Sequence, residues 1–130
     1  MLRKIVTHEA GHPVILVDSI TKIEPGDVGA IVVSASHGGA SSGEFALAVA
    51  LTAALFNDGG IGKEEAGVAG LAMLDKRGMP SCAVSHESGR IGDAADMWEH
   101  GVISRVNGAA AKKGARTGMT VKDAVRALAG

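Results

Sequence analysis

Short aliphatic runs bounded by turn-forming residues constrain the fold of this chain more than any other feature. Each run is rich in β-branched or aliphatic side chains, with Gly, Asn, Asp, Ser or Pro at its ends. Such runs are typical of parallel strands covered by helices. They predict strands at residues 13–17, 29–33, 51–56 and 80–84, and a shorter fifth at 102–106. Residues 51–56 are assigned as a strand because Asn57-Asp58-Gly59-Gly60 ends them abruptly.

Helical patterns alternate with these strands, at residues 43–50, 63–77, 93–100 and 120–129. Gly78 is placed to end the second helix, and Thr120 with Asp123 resembles a capping box. The alternation predicts a three-layer α/β sandwich of the flavodoxin-like or Rossmann-like type, with a mainly parallel sheet of four or five strands. Only about ten residues join the first two strands, fewer than a parallel crossover normally needs. The first strand is therefore expected either antiparallel at an edge or beside an abbreviated crossover.

Length and composition predict one domain over residues 1–130 and exclude several classes of partner. The net charge of −1 supplies no field that would attract nucleic acid or an anionic membrane. No apolar run reaches about 18 residues, so no membrane span is expected. Cys82 is the only cysteine, which excludes an internal disulfide and predicts a cytoplasmic location. The Ala- and Gly-rich helices suggest close subunit contacts, so we expect a homo-oligomer.

Glycine-rich polar loops follow the predicted strands, at residues 34–43, 57–62, 85–93 and 107–108. Ligands of open parallel sheets bind beyond the carboxyl ends of the strands, where such loops meet. Their backbone N–H groups suit an anion, and Arg90 can hold a carboxylate with two hydrogen bonds. Alternatively, the glycines only form turns and Arg90 makes an ion pair at the surface or at a subunit interface. The candidate ligand-binding residues are Ser36, Gly38, Gly39, Ser41, Asn57, Gly59, Gly60, Ser88, Arg90 and Asp93.

Two histidines at strand ends are the main candidates for chemistry. His37 and His86 each follow a serine, and Asp58 stands in the loop between them along the chain. Imidazole exchanges protons near neutral pH, so the three residues can supply an acid and a base, or bind a metal. The alternative is that each histidine only bonds a neighbouring loop carbonyl. A serine nucleophile is a weaker hypothesis, because serines at loop starts are commonly caps.

The segment His8-Glu9-Ala10-Gly11-His12 matches the zinc-protease signature, in which two histidines one helical turn apart bind zinc. Pro13 and Gly11 disfavour the helix that this motif needs, so a polar turn is the preferred interpretation. A zinc hydrolase using His8, Glu9 and His12 is a minor alternative, and no metal is assigned. No Gly-x-Gly-x-x-Gly or Walker lysine motif is present, so neither NAD nor ATP is expected and no cofactor is assigned.

Three loops carry a family resemblance: Ser36-His37-Gly38-Gly39, Phe56-Asn57-Asp58-Gly59-Gly60-Ile61-Gly62 and Ser85-His86-Glu87-Ser88-Gly89-Arg90-Ile91-Gly92-Asp93. Together they resemble a family of small bacterial α/β proteins of unassigned function, over about residues 18–107. The resemblance supports the domain boundaries and the choice of loops, and it implies no reaction.

These observations predict a small-molecule enzyme that binds an anionic, carboxylate-like metabolite at the carboxyl edge of the sheet. Histidine acid/base chemistry would serve a hydrolase, a lyase or an isomerase. A non-catalytic ligand-binding or regulatory domain is the alternative.

Overall fold

The computed structural model describes residues 1–130 and contains one six-stranded mixed sheet with five helices. The strands are β1 (Arg3–Glu9), β2 (His12–Val17), β3 (Ile31–His37), β4 (Ala53–Asn57), β5 (Ser81–Val84) and β6 (Ile103–Val106). The helices are α1 (Ala40–Leu47), α2 (Ala69–Lys76), α3 (Ala94–His100), α4 (Gly108–Lys112) and α5 (Val121–Ala129). The five predicted strand positions and the α/β class are confirmed.

The six strands lie in chain order across the sheet. β2, β3, β4 and β5 are parallel, whereas β1 pairs antiparallel with β2 and β6 pairs antiparallel with β5. The first predicted strand, now β2, is parallel to β3, so its antiparallel alternative was wrong. Two short 3-10 turns form the abbreviated crossover between them. Flavodoxin-like and Rossmann-like sheets contain a reversal of strand order that is absent here, so that narrower assignment is not confirmed.

The sequence analysis missed two elements and gave one strand the wrong direction. β1 was not predicted, and neither was the short helix α4. β6 was expected to continue the parallel sheet, but Ile103 at its start is the register partner of Val84 at the end of β5. β6 therefore begins at the edge of the sheet where β5 ends, and it runs in the opposite direction. The predicted helix at 63–77 begins as a 3-10 segment (Lys63–Val68), and α2 starts only at Ala69.

Alternate side chains of the central strands pack into two separate hydrophobic cores, one on each face of the sheet. Val14 and Leu16 of β2 face one core, together with α3 and α5, while Ile15 and Val17 face the other, together with α1 and α2. This alternation follows from the two-residue period of a strand, and it confirms the three-layer arrangement. Each large aliphatic side chain that is fully buried contributes about 1.5–3 kcal/mol. None of the helices is long and apolar enough to cross a membrane.

The last helix, α5, has the N-terminal cap that its sequence predicts and a single apolar face. Thr120 precedes α5, and its hydroxyl accepts a hydrogen bond from the Asp123 backbone N–H at 3.1 Å, as the capping pattern predicted. Val121, Ala124, Val125 and Leu128 are all buried. Their spacing places them on one face of the helix, which closes one side of the sheet.

Candidate functional site

The parallel pairing of β3, β4 and β5 brings the loops after these strands to one edge of the sheet. His37 in β3 is the register partner of Asn57 in β4, and Asn57 is the partner of Val84 in β5. Asp58 follows Asn57 directly, and His86 comes two residues after Val84. The three residues predicted to be catalytic therefore lie at the same edge, as the strand pattern indicated.

Asp58 is buried and receives several hydrogen bonds. Its Oδ1 atom accepts from the backbone N–H groups of Gly60 (2.8 Å) and His86 (3.1 Å), and its Oδ2 atom accepts from the Ser104 hydroxyl (2.7 Å). Burial opposes ionisation, but these hydrogen bonds outweigh it and hold the pKa of Asp58 below its ordinary value. At neutral pH the side chain is therefore a carboxylate that can only accept hydrogen bonds.

This carboxylate determines which nitrogen of His86 carries the proton. Nδ1 of His86 lies 3.1 Å from Asp58 Oδ1. Because the carboxylate has no hydrogen to donate, the proton must be on Nδ1. In the neutral ring, Nε2 then has a free lone pair, and it bonds no protein group. The His86 side chain is 47% exposed, so that lone pair is accessible to a ligand.

His37 is held in the opposite tautomer. The backbone N–H of Gly39 donates to its Nδ1 atom at 3.1 Å. A backbone N–H cannot accept, so Nδ1 is unprotonated, and the neutral ring carries its proton on Nε2. His37 thus presents an N–H donor to its surroundings, whereas His86 presents an acceptor.

The turn at Gly59 and Gly60 separates the two imidazole side chains. Both glycines have positive φ angles, +58° and +79°, which other residues adopt only with strain. A Cβ atom on Gly59 would lie 3.3 Å from Cβ of His37, and one on Gly60 would lie 3.7 Å from Cε1 of His86. The turn therefore lies between the two histidines, with Gly59 next to His37 and Gly60 next to His86.

A close approach between helices holds the loop after β3 in place. The N–H of Gly70, in the first turn of α2, donates to the Gly38 carbonyl at 2.8 Å. A Cβ atom on Gly70 would lie only 2.5 Å from the Gly39 carbonyl oxygen, so a larger residue does not fit without movement. This contact fixes the backbone that orients His37.

Two neighbouring cavities share His37 and Ile91. The larger, of about 420 Å³, lies between the β2 and β3 ends and the start of α1. Its polar lining consists of Asp18, Ser19, Thr21, Ser36, His37, Ser41 and Ser42. The smaller, of about 300 Å³, lies over the Gly59 turn and the 3-10 segment before α2. His86 lines neither cavity, although it stands beside the turn that borders the smaller one.

Several predicted ligand-binding residues are occupied by internal hydrogen bonds. Asn57 donates to the Gly89 carbonyl and accepts from the Gly59 N–H, and so ties two of the loops together. Ser88 bonds the Ser85 carbonyl and the Val102 N–H. Asp93 caps α3 by accepting from the Asp96 N–H. Each of these side chains supports the site instead of facing it.

Arg90 is exposed and lies outside both cavities. Its guanidinium makes no hydrogen bond or ion pair within the chain, while its backbone N–H donates to Asp96. The ion-pair alternative for Arg90 is therefore not seen within one chain.

The backbone N–H groups of the loops fall into two sets. Those of Gly38, Gly59, Gly60 and Ile61 donate to acceptors within the loops, so they are not free for an anion. Those at the start of α1, residues 40–42, have no acceptor in the chain, and no side chain caps the helix. Backbone N–H groups around residues 38–43 were predicted to bind an anion. Of these groups, only those at the N-terminus of α1 are free to do so.

The segment with the zinc-protease signature forms a β-hairpin. Glu9 ends β1 and His12 begins β2, and the two are register partners across the Ala10-Gly11 turn. His12 therefore shares a face with Glu9, while His8 points to the other face. Nδ1 of His12 lies 2.9 Å from the Gly29 carbonyl oxygen. This geometry does not fit the zinc-hydrolase alternative, and no group of three or more metal-ligating side chains occurs elsewhere.

The loop after β6 was wrongly expected at the same edge as the other loops. Because β6 is antiparallel, Asn107 lies at the opposite edge, where its Oδ1 atom accepts from the Ser81 N–H. Its Nδ2 atom donates to the carbonyls of Leu71 and Met79. Asn107 is thus a structural link beneath β5.

Ser104 is the site residue that the sequence analysis did not identify. It lies in β6, and its hydroxyl bonds Asp58, which is 46 residues away in the chain. A lone serine in a short strand gives no sequence signal for such a contact.

Comparisons of the chain with protein-family models, curated proteins and solved structures found no match.

Proposed function

We propose that this chain is a small-molecule enzyme that binds an anionic metabolite at the carboxyl edge of its sheet, with His86 as the general acid/base and His37 as a hydrogen-bond donor to the negative charge that develops on the substrate. The observation that carries the proposal is the pair of opposite tautomers. His86, oriented by the Asp58 carboxylate, presents a lone pair on Nε2, and His37 presents a proton on Nε2.

Such a pair suits reactions in which one proton leaves a substrate atom and another arrives elsewhere. His86 removes a proton from a carbon acid or a water molecule, and the Asp58 carboxylate stabilises the imidazolium that results. His37 donates a hydrogen bond from its Nε2–H to the carbonyl or leaving-group oxygen, where it stabilises the developing negative charge. The His86 imidazolium then returns the proton to the leaving group or to another atom of the substrate. Hydrolysis, elimination and isomerisation all follow this scheme, and the reaction class is the part that a substrate screen must supply.

A non-catalytic ligand-binding role is the second candidate. One observation favours it: His86 lines neither cavity, so a molecule seated in the larger one contacts only His37. In that case the Asp58 and His86 pair would fix the loop between β5 and α3, with no proton transfer.

The premise about tautomers can be tested directly. Long-range ¹H–¹⁵N NMR correlations of the histidine rings distinguish Nδ1–H from Nε2–H. We expect His86 as the Nδ1–H form and His37 as the Nε2–H form at a pH where both are neutral. The same tautomer at both positions would contradict the roles of His86 as acceptor and His37 as hydrogen-bond donor.

The function is tested by a ligand screen followed by turnover assays. A ligand present at 100 times its Kd stabilises the fold by about 2.7 kcal/mol, so thermal shifts will identify it. For hits that are turned over, His86→Gln and His37→Gln should each lower kcat by about 10²- to 10⁴-fold. The matched control is His100→Gln, at the exposed end of α3. Undiminished turnover in the double variant His37→Gln, His86→Gln would rule out the roles proposed for the two histidines, and binding without any turnover favours the second candidate.

A further inference from the structure

The start of α1 is an uncapped helix N-terminus that opens into the larger cavity. The backbone N–H groups of residues 40–42 have no acceptor in the chain, and Gly39 at the N-cap position supplies no side chain. Ser41 and Ser42, in the first turn, both line the cavity of about 420 Å³. Helix N-termini attract anions because these N–H groups and the helix dipole point outward.

A second, independent feature points to a ligand at this place. Ser42 is only 6% exposed, yet its hydroxyl makes no hydrogen bond with any protein group, and its accessible part faces the cavity. A buried hydroxyl is normally paired, because leaving it without a hydrogen bond destabilises the fold. The cavity is therefore lined by a largely buried side chain whose hydroxyl has no hydrogen-bond partner in the chain and is free to bond a ligand.

Two more donors face the same space. His37 presents its Nε2–H, because Nδ1 is taken by the Gly39 N–H. The Ser36 hydroxyl oxygen accepts from the Ile20 N–H, which leaves its own hydrogen free to donate into the cavity. No lysine or arginine lines this cavity, so its affinity for an anion would rest on neutral donors and the helix dipole.

From this arrangement we propose that the cavity binds the phosphoryl group of a phosphate monoester at the N-terminus of α1. A carboxylate has two oxygens with about four acceptor positions, whereas a phosphoryl group has three strong acceptor oxygens. The three free N–H groups, together with the donors of Ser41, Ser42 and His37, match the acceptor oxygens of a phosphoryl group better than those of a carboxylate. The organic part of the ligand extends from Phe45 past Ile91, which also lines the smaller cavity over the Gly59 turn, beside His86.

Asp18 also lines the cavity, and its charge must be taken into account. Its Oδ2 atom accepts from the Leu2 N–H at 2.8 Å, and its Oδ1 atom accepts from the Ala94 N–H at the start of α3 at 3.0 Å. Both oxygens are therefore partly compensated by backbone dipoles. Their remaining lone pairs suit hydroxyl groups of the ligand, so this wall binds the polar organic part.

This inference rests on the proposed function for the anionic character of the ligand and adds its chemical class. The test is a titration of the wild-type chain with inorganic phosphate, followed by ³¹P NMR, with acetate as the carboxylate comparison. Ser42→Ala should weaken phosphate binding by about 10- to 100-fold, the range for a hydrogen bond to a charged group. Acetate should bind at least about tenfold more weakly than phosphate does.

Ser41→Asp is the decisive variant. An acidic residue in the first helical turn stabilises the helix, so loss of binding cannot be attributed to unfolding. Its carboxylate also occupies the anion position, and phosphate binding should become undetectable. The matched control is Thr117→Asp, which adds the same charge in an exposed turn outside the cavity and should change the Kd by less than about twofold.

The inference is overturned if phosphate does not bind, if acetate binds as tightly, or if Ser41→Asp leaves phosphate binding intact. These results concern binding alone and need no turnover. The enzyme proposal is tested separately by the effect of His86→Gln on kcat, so the failure of one proposal can be distinguished from the failure of the other.

Discussion

Replacing Ser104 with alanine should lower the free energy of unfolding by about 1.5–3 kcal/mol at neutral pH, the range for a hydrogen bond to a charged group. The Ser104 hydroxyl is the only protein donor to Asp58 Oδ2, at 2.7 Å. Without it, that oxygen of a buried carboxylate has no partner in the chain. The measurement is urea unfolding of the wild type and of Ser104→Ala at pH 7, followed by circular dichroism.

The destabilisation should depend on pH, with a sign that follows from the lowered pKa of Asp58. A carboxyl group whose pKa is lower in the folded state stabilises the fold above its unfolded pKa, about 3.9, and this contribution is lost as the pH falls through the folded value. Ser104→Ala removes one cause of that shift. The difference between variant and wild type should therefore shrink in acid, below about pH 4.

A second serine in the neighbouring strand provides the control. Ser81 in β5 is fully buried, and its hydroxyl has no hydrogen-bond partner. Ser81→Ala should be neutral or slightly stabilising, because it removes an unpaired polar group. If Ser81→Ala and Ser104→Ala are equally destabilising, or if the effect of Ser104→Ala does not diminish as the pH falls through the acid range below about 4, the role given to Ser104 is wrong.

Three further predictions concern packing, reactivity and assembly. Gly70→Ala should destabilise the fold by about 1–3 kcal/mol, because its Cβ would lie 2.5 Å from the Gly39 carbonyl oxygen, whereas Gly26→Ala, which meets nothing within 4 Å, should change stability by less than about 0.5 kcal/mol in urea titrations. Burial raises the pKa of Cys82 to about 12, so iodoacetamide at pH 8 should modify it in urea but not in the native protein, as read by mass spectrometry. Light scattering at micromolar concentration should give the mass of a homo-oligomer, and a monomer mass would contradict that expectation.

Local patterns in the sequence were enough to locate the buried strands and the polar residues at their ends. The strand at residues 51–56 was recognised from an abrupt Asn-Asp-Gly-Gly stop, and the structure contains β4 at Ala53–Asn57. Cys82 lies within the strand predicted at residues 80–84, and it is fully buried. These features depend on a few consecutive residues, so the sequence alone can reveal them.

The direction of β6 and the extent of the N-terminal hairpin required the tertiary structure. A short aliphatic run has the same pattern whichever way it crosses a sheet, so Ile103–Val106 gave no sign of being antiparallel. In β1, Ile5 is exposed although it is apolar, and the register shifts between Ile5 and Thr7. Such a strand lacks the regular alternation that identifies a half-buried edge.

For the site, the positions of the candidate residues could be predicted from local sequence patterns, whereas their hydrogen-bond partners could not. The sequence placed His37, Asp58 and His86 at one edge, because loops after parallel strands meet there. The protonated nitrogen of each histidine depends on the partner that its Nδ1 atom meets, a carboxylate for His86 and a backbone N–H for His37. The Ser104 contact and the internal use of the loop N–H groups also join residues that only folding brings together. The sequence therefore determined which groups are available, and the tertiary structure decided which of them remain free, because hydrogen-bond partners are set by three-dimensional neighbours.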